Sequence, residues 1–164
     1  MNPETQEFRI RPMAAGDLDR LVEIAAGLEH APHWPRLAYA AVLDPAFPRR
    51  IALVAENLGG LSGFAVARLT PPEAELETIA VTAEFQRQGV ARNIFAVLAG
   101  ELRRADVHEI LLEVRTSNRP ARAFYRSLGF AEAGQRLRYY ADPVEDAVLM
   151  RLGLCFTEQV EPEG

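Results

Sequence analysis

Between Leu76 and Arg92 the chain reads LETIAVTAEFQRQGVAR, and no other stretch restricts the fold as strongly. Ile79 and Val81 stand at alternate positions in a run that reads as a half-buried strand. From Val90 onward Ile94, Val97, Leu98 and Leu102 recur at helical spacing, so a strand must pass through Gln86-Arg87-Gln88-Gly89 into a helix. Such a joint leaves the N–H groups of the first helical turn unpaired and pointing one way, which suits an anion such as phosphate. Gly89 removes a Cβ that would hold a ligand away from the backbone, and Arg87 and Arg92 flank the turn as additional donors. Taken alone, the hexapeptide also fits an ordinary strand-turn-helix joint with surface arginines.

The rest of the chain arranges itself around this joint. Phe8 to Arg11 alternates apolar and charged and ends at Pro12, a short first strand; Asp17 is placed to cap a helix carrying Leu18, Leu21, Val22, Ala25 and Leu28. After a proline-stiffened loop at Glu29 to Pro35, Leu37, Ala41 and Val42 suggest a second short helix. Arg50–Glu56 and Leu61–Leu69 flank Asn57-Leu58-Gly59-Gly60, a hairpin signal. With the strand after Pro71-Pro72 they form an antiparallel meander. The helix from about Gly89 to Ala105 crosses to Glu109–Arg115, and that length implies parallel pairing. Asn118 can cap a helix stopped by Gly129, and Ala133–Tyr140 with Asp146–Leu152 read as a closing pair of strands.

At 164 residues, about half of them apolar, the chain suits one core. The expectation is one domain over residues 1–154 with an acidic, frayed tail at 155–164. The net charge of -5 and the absence of a basic block argue against a nucleic-acid binder. No N-terminal apolar leader and no run near ~18 apolar residues is present, so a cytoplasmic protein without a membrane partner is expected. Cys155 is the only cysteine, which excludes an intrachain disulfide and reads as an incidental thiol. All 18 basic residues are arginine, so Schiff-base chemistry has no amine to use. His30 and His33 have H-x-x-H spacing without further ligands nearby, and no metal is expected.

In Glu109–Arg115, Ile110, Leu112 and Val114 share one face and Leu111, Glu113 and Arg115 the other. Glu113 is therefore a carboxylate near the carboxyl end of a parallel strand, where open sheets bind ligands, and it should share a cleft with the Gln86–Ala91 turn. That position suits a general base; an ion pair with Arg115 or another arginine fits it equally. Tyr125 follows one helix later on the stripe of Ala121 and Leu128. It can donate a proton to a leaving thiolate, since ~10 for a phenol and ~8.5 for a thiol make the transfer close to balanced, or it can be a core tyrosine. Trp34 either lines a groove or pins its loop to the core.

Taken as a set, Ile79-Ala80-Val81, Gln86 to Ala91, Leu112-Glu113-Val114-Arg115, Asn118 and Ala123 to Phe130 resemble the GNAT acetyltransferases. The hexapeptide matches their Q/R-x-x-G-x-G/A signature with Ala91 last. Leu-Glu-Val-Arg before Asn118, Tyr-x-Ser-Leu-Gly-Phe, and Arg138-Tyr139-Tyr140 ahead of Glu145-Asp146-Ala147 resemble the ribosomal-protein-alanine N-acetyltransferases, the RimI type. The likeness implies the α/β GNAT fold, a mixed central sheet of about seven strands flanked by about four helices, in a monomer or weak dimer.

It also implies acetyl-CoA as co-substrate and no metal. The backbone of Gln86, Arg87, Gln88, Gly89, Val90, Ala91 and Arg92 would cradle the pyrophosphate, while Ile79, Ala80 and Val81 would pair with the pantetheine arm. Asn118 would hydrogen-bond the cofactor, with Glu113 as base and Tyr125 as acid, and Trp34, Tyr139 and Tyr140 would line a groove for an N-terminal peptide, plausible acceptors being N-terminal alanines of ribosomal proteins. Arg122 and Arg126 either meet the 3′-phosphate or form a solvated face. The sequence departs from the subfamily at Ala31-Pro32-His33-Trp34-Pro35, where His33 separates proline from tryptophan and leaves the acceptor open. A small-molecule amine acetyltransferase and a non-catalytic acyl-CoA-binding module are the alternatives.

Overall fold

The computed structural model describes residues 6–46 and 49–154, so Cys155 and the acidic tail lie outside the described residues. In chain order the elements are β1 (Arg9–Pro12), α1 (Leu18–Ala26), α2 (Arg36–Val42), β2 (Arg50–Asn57), β3 (Gly60–Thr70), β4 (Glu73–Val81), α3 (Val90–Arg104), β5 (Glu109–Arg115), α4 (Arg119–Ser127), β6 (Ala131–Ala141) and β7 (Val144–Gly153). The described strands form one seven-stranded sheet in the order β1-β2-β3-β4-β5-β7-β6. The first four strands pair antiparallel, β4 and β5 pair parallel, and β7 returns antiparallel to β5. The expected meander, crossover and closing pair are all present. The insertion of β7 between β5 and β6 is a long-range arrangement that the chain order does not announce.

Strand alternation divides the core between two faces of the sheet. Leu53, Ala65 and Ala67 pack with Ile94, Leu98 and Leu102 of α3, while Val54, Phe64 and Val66 pack with Leu21 and Ile24 of α1 and Tyr39 of α2. Burying each large apolar side chain stabilises the fold by roughly 1.5–3 kcal/mol before entropy is subtracted. The expected Asp17 cap is not made: its carboxylate instead accepts from Arg11 Nη1 at 2.8 Å and Ala14 N at 2.8 Å. An arginine on β1 offers two donors in a plane, which outcompetes a single helix amide.

One departure from regular pairing sets up the site. β4 and β5 are in register only at Glu73↔Glu109, Ala74↔Ile110 and Glu75↔Leu111. Beyond these, Leu76–Val81 keeps its pairing with β3 and Leu112–Arg115 keeps its pairing with β7, so the two parallel strands part toward their carboxyl ends. Glu77 has no partner where the β3–β4 register shifts between Val66 and Ala67, and such a bulge adds twist to one of the two diverging strands.

Candidate active site

The gap between β4 and β5 opens into a cleft of about 990 Å³ lined on its two sides by Thr78 to Val81 and Glu113 to Arg115. Gln86, Asn118, Ala121 and Tyr125 line it as well, together with Trp34 from the α1–α2 loop and Tyr139 and Tyr140 from β6. Every residue named from the sequence as catalytic or acceptor-binding thus borders one space.

The turn ahead of α3 has the geometry of an anion cradle. Arg87 and Gly89 take positive φ, 62° and 83°, between residues of ordinary conformation, and such alternation turns successive N–H groups inward. The first main-chain bond into α3 runs from Asn93 N to Gly89 O at 3.0 Å, which leaves the N–H groups of Val90, Ala91 and Arg92 outside the helical ladder. A Cβ on Gly89 would meet no atom of this chain, so glycine serves the backbone conformation and keeps the approach clear. Gly63 has the opposite duty. A Cβ there would come within 2.7 Å of Ala80 O and 3.1 Å of Val81 Cγ2, so glycine lets β3 lie close under the end of β4.

Some side chains near this turn are already engaged. Gln86 Nε2 donates to Val81 O at 3.0 Å and ties the turn to the end of β4. Arg92 Nη2 donates to Ser127 Oγ at 2.8 Å, linking α3 to α4. Arg122 and Arg126 both reach Glu132 Oε1, and their guanidinium groups hold that carboxyl below the usual carboxylate range. Asn118 caps α4, its Oδ1 accepting from Ala121 N at 3.2 Å, and it lines the cleft from there.

Glu113 is 12% exposed, and Arg136 of β6 pairs with it through Nε to Oε1 at 3.0 Å. The other carboxylate oxygen, Oε2, is buried without a hydrogen-bond partner. Of the arginines considered for Glu113, Arg115 is not the one that holds it. Arg115 pairs with Glu145 at 3.4 Å and lies over the Tyr140 ring at 4.2 Å. Arg136 was not legible as a site residue. Glu113 stands opposite Leu149 on β7, Leu149 stands opposite Gly134 on β6, and the arginine reaches diagonally across the intervening strand.

Three phenols gather at the same place. Burial pushes the Tyr125 hydroxyl up to about 12, with Tyr140 adding to the effect. Tyr139 is also pushed up to about 12, chiefly by the neighbouring Glu113 carboxylate. Burial, then the Glu113 charge, raises Tyr140. The Trp34 ring lies tilted by 44° against the core residue Tyr39, with centroids 5.3 Å apart, and the residue also borders the cleft. His33 Nε2 bonds with Leu28 O at 3.0 Å and braces the loop that carries the tryptophan.

A mixed sheet that parts beside a glycine-containing amide turn is the frame of an acyltransferase. The chain belongs to the acetyltransferase (GNAT) family, whose sequence profile matches residues 18–130. It is 36% identical over 156 residues to the N-alpha-acetyltransferase RimI of Mycobacterium tuberculosis, covering 92% of this chain and 96% of that one. It is 44% identical over 96 residues to the ribosomal protein bS18-alanine N-acetyltransferase of Escherichia coli, a match spanning 57% of this chain and 65% of the length of that relative. The crystal structure of the ribosomal-protein-S18-alanine N-acetyltransferase from Escherichia coli superposes with a TM-score of 0.81 at 32% identity, over 94% of this chain and 99% of that one.

Proposed function

We propose that this chain transfers the acetyl group of acetyl-CoA to the α-amine of a protein or peptide N-terminus, with the N-terminal alanine of a ribosomal protein as the foremost acceptor. The observation that carries the reading is the early end of the β4–β5 pairing at Glu75↔Leu111, beyond which a cleft opens that is bordered by both Gln86, the first residue of the amide turn, and Glu113. The relatives' names support the acceptor class. No helix among the described residues is long and apolar enough to cross a membrane, and a cytoplasmic site of action accords with a ribosomal acceptor.

The residues fit acetyl-CoA. The N–H groups of Arg87 to Arg92 would hold the pyrophosphate, the edge of Ile79, Ala80 and Val81 left without a β5 partner would take the pantetheine arm as a strand takes its neighbour, and Asn118 would contact the arm from α4. The thioester supplies an activated acetyl group. A peptide α-amine, with a pKa near ~8, arrives mostly protonated at neutral pH, and Glu113, whose Oε2 is buried and has no hydrogen-bond partner, is the carboxylate that takes the proton, directly or through a water. No covalent intermediate on the enzyme is required.

Tyr125 then stabilises the departing sulfur. Its phenol at about 12 stays protonated throughout the physiological range. The gap to a thiol at ~8.5 is wider than an unperturbed phenol would give, so donation of a hydrogen bond precedes full proton transfer. The same apolar surroundings raise the proton affinity of the sulfur and narrow the gap. Trp34, Tyr139 and Tyr140 form the walls that align the peptide.

Mass spectrometry after incubation with acetyl-CoA tests the proposal. A peptide beginning with alanine should gain one acetyl group at its α-amine and outcompete polyamines, free amino acids and aminoglycosides. Preference for a small amine would move the acceptor assignment to the small-molecule class, and binding of acetyl-CoA without product from any acceptor would defeat the enzymatic reading.

A further inference from the structure

We infer that Arg136 is a positioning residue for the transfer step, fixing the Glu113 carboxylate through Oε1 and leaving Oε2 as the oxygen available to take the acceptor's proton; the inference rests on the reading of Glu113 as the base. Three observations converge on it. Arg136 Nε holds Glu113 Oε1 at 3.0 Å, Glu113 Oε2 is buried and unpartnered, and the Arg136 guanidinium lies 5.6 Å from the centre of the Tyr139 ring.

A carboxylate on a flexible stem has two equivalent oxygens and free rotation about its last bond. Clamping one oxygen removes the rotation and leaves the other pointing in a fixed direction, a preorganisation that would otherwise be lost in ordering the base at each turnover. Arginine suits the task better than lysine. Its guanidinium stays charged, and its plane can lie against a tyrosine ring while the charge faces the carboxylate.

The fold places the clamp deliberately far from its target in sequence. Arg136↔Ala147 is the last regular β6–β7 pair before the register breaks, and pairing resumes only at Tyr140↔Glu145. Within the break Arg138 takes φ 52° and its N–H donates to Asp146 Oδ1 at 2.8 Å. The bulge ends the regular ladder immediately after Arg136 and allows Tyr139 to turn back toward Glu113 beside it. One irregularity in an edge strand thereby supplies both the clamp and an aromatic wall of the acceptor groove.

The side chain of Arg136 is 57% exposed, so its replacement should leave the fold intact, to be verified by an unchanged melting temperature. With an alanine-initiated peptide, Arg136→Ala should lower kcat about tenfold while the KM for acetyl-CoA stays within about twofold, and Arg136→Lys should recover part of the loss. Added guanidinium ion should partly restore Arg136→Ala. In a Glu113→Gln background the same Arg136→Ala change should cost less than about twofold, because there is no charged base left to orient. An unchanged kcat in Arg136→Ala, or full additivity with Glu113→Gln, would overturn the inference while wild-type acetylation still stands. A wild-type protein that acetylates nothing would instead remove the functional reading beneath it.

Discussion

The turn that begins at Gln86 on one border of the cleft has its main-chain amides set by two positive-φ residues; elsewhere on the cleft, Glu113, Trp34, Tyr139 and Tyr140 are side chains brought from β5, the α1–α2 loop and β6. The first side is specified within a few consecutive residues and needs little beyond a glycine. The second depends on strand order, a register break and a loop pinned by Trp34 against Tyr39. A surface made of backbone can change many side chains and still hold a diphosphate. A surface made of side chains from separate elements can be retuned one residue at a time, and on the proposed function acceptor choice would belong there.

Three substitutions test that division, beginning with the largest effect. Glu113→Gln should reduce kcat about 100-fold, since general-base contributions run from about 10² to 10⁴, while calorimetry finds acetyl-CoA binding unchanged within about twofold. A parallel loss of cofactor affinity would mean that the two sides are not separable. Gly89→Ala forces a residue with a Cβ into φ 83°, at a cost of about 1–2 kcal/mol, and should weaken acetyl-CoA binding about tenfold with little change in kcat at saturation. Should it instead raise the peptide KM alone, the turn would belong to the acceptor side. Trp34→Ala should raise the peptide KM about fivefold and leave acetyl-CoA affinity alone in steady-state kinetics. Equal effects on both substrates would show the tryptophan to be chiefly a brace for its loop.

The same division explains which parts were readable from the sequence. The hairpin at Asn57–Gly60, the start of α3 after Gly89, the alternate faces of β5 and the Asn118 cap are all set by neighbours within a few positions. Glu113 was legible on the alternate faces of β5, whereas Tyr139 and Tyr140 were expected only through the family resemblance, and the structure brings all three together with Trp34 and Tyr125 to one cleft. What stayed hidden was non-local. Nothing in the order of strands predicts that β7 enters between β5 and β6, that β4 begins at Glu73 yet leaves β5 after Glu75, or that Arg136 answers Glu113 across an intervening strand. Asp17 was misread for the same reason, because a partner on β1 displaced the helix amide it was expected to meet.

The parting of β4 from β5 leaves a seam through the middle of a sheet, with the outer edge of Leu76–Val81 short of the neighbour that every interior strand ordinarily has. On the proposed function, a thioester-bearing arm laid into that seam would complete the ladder as an eighth strand that comes and goes with each cycle. The protein's resistance to unfolding would then be tied by mass action to how much acyl donor surrounds it, so that a cell rich in that metabolite would hold a sturdier catalyst than a starved one.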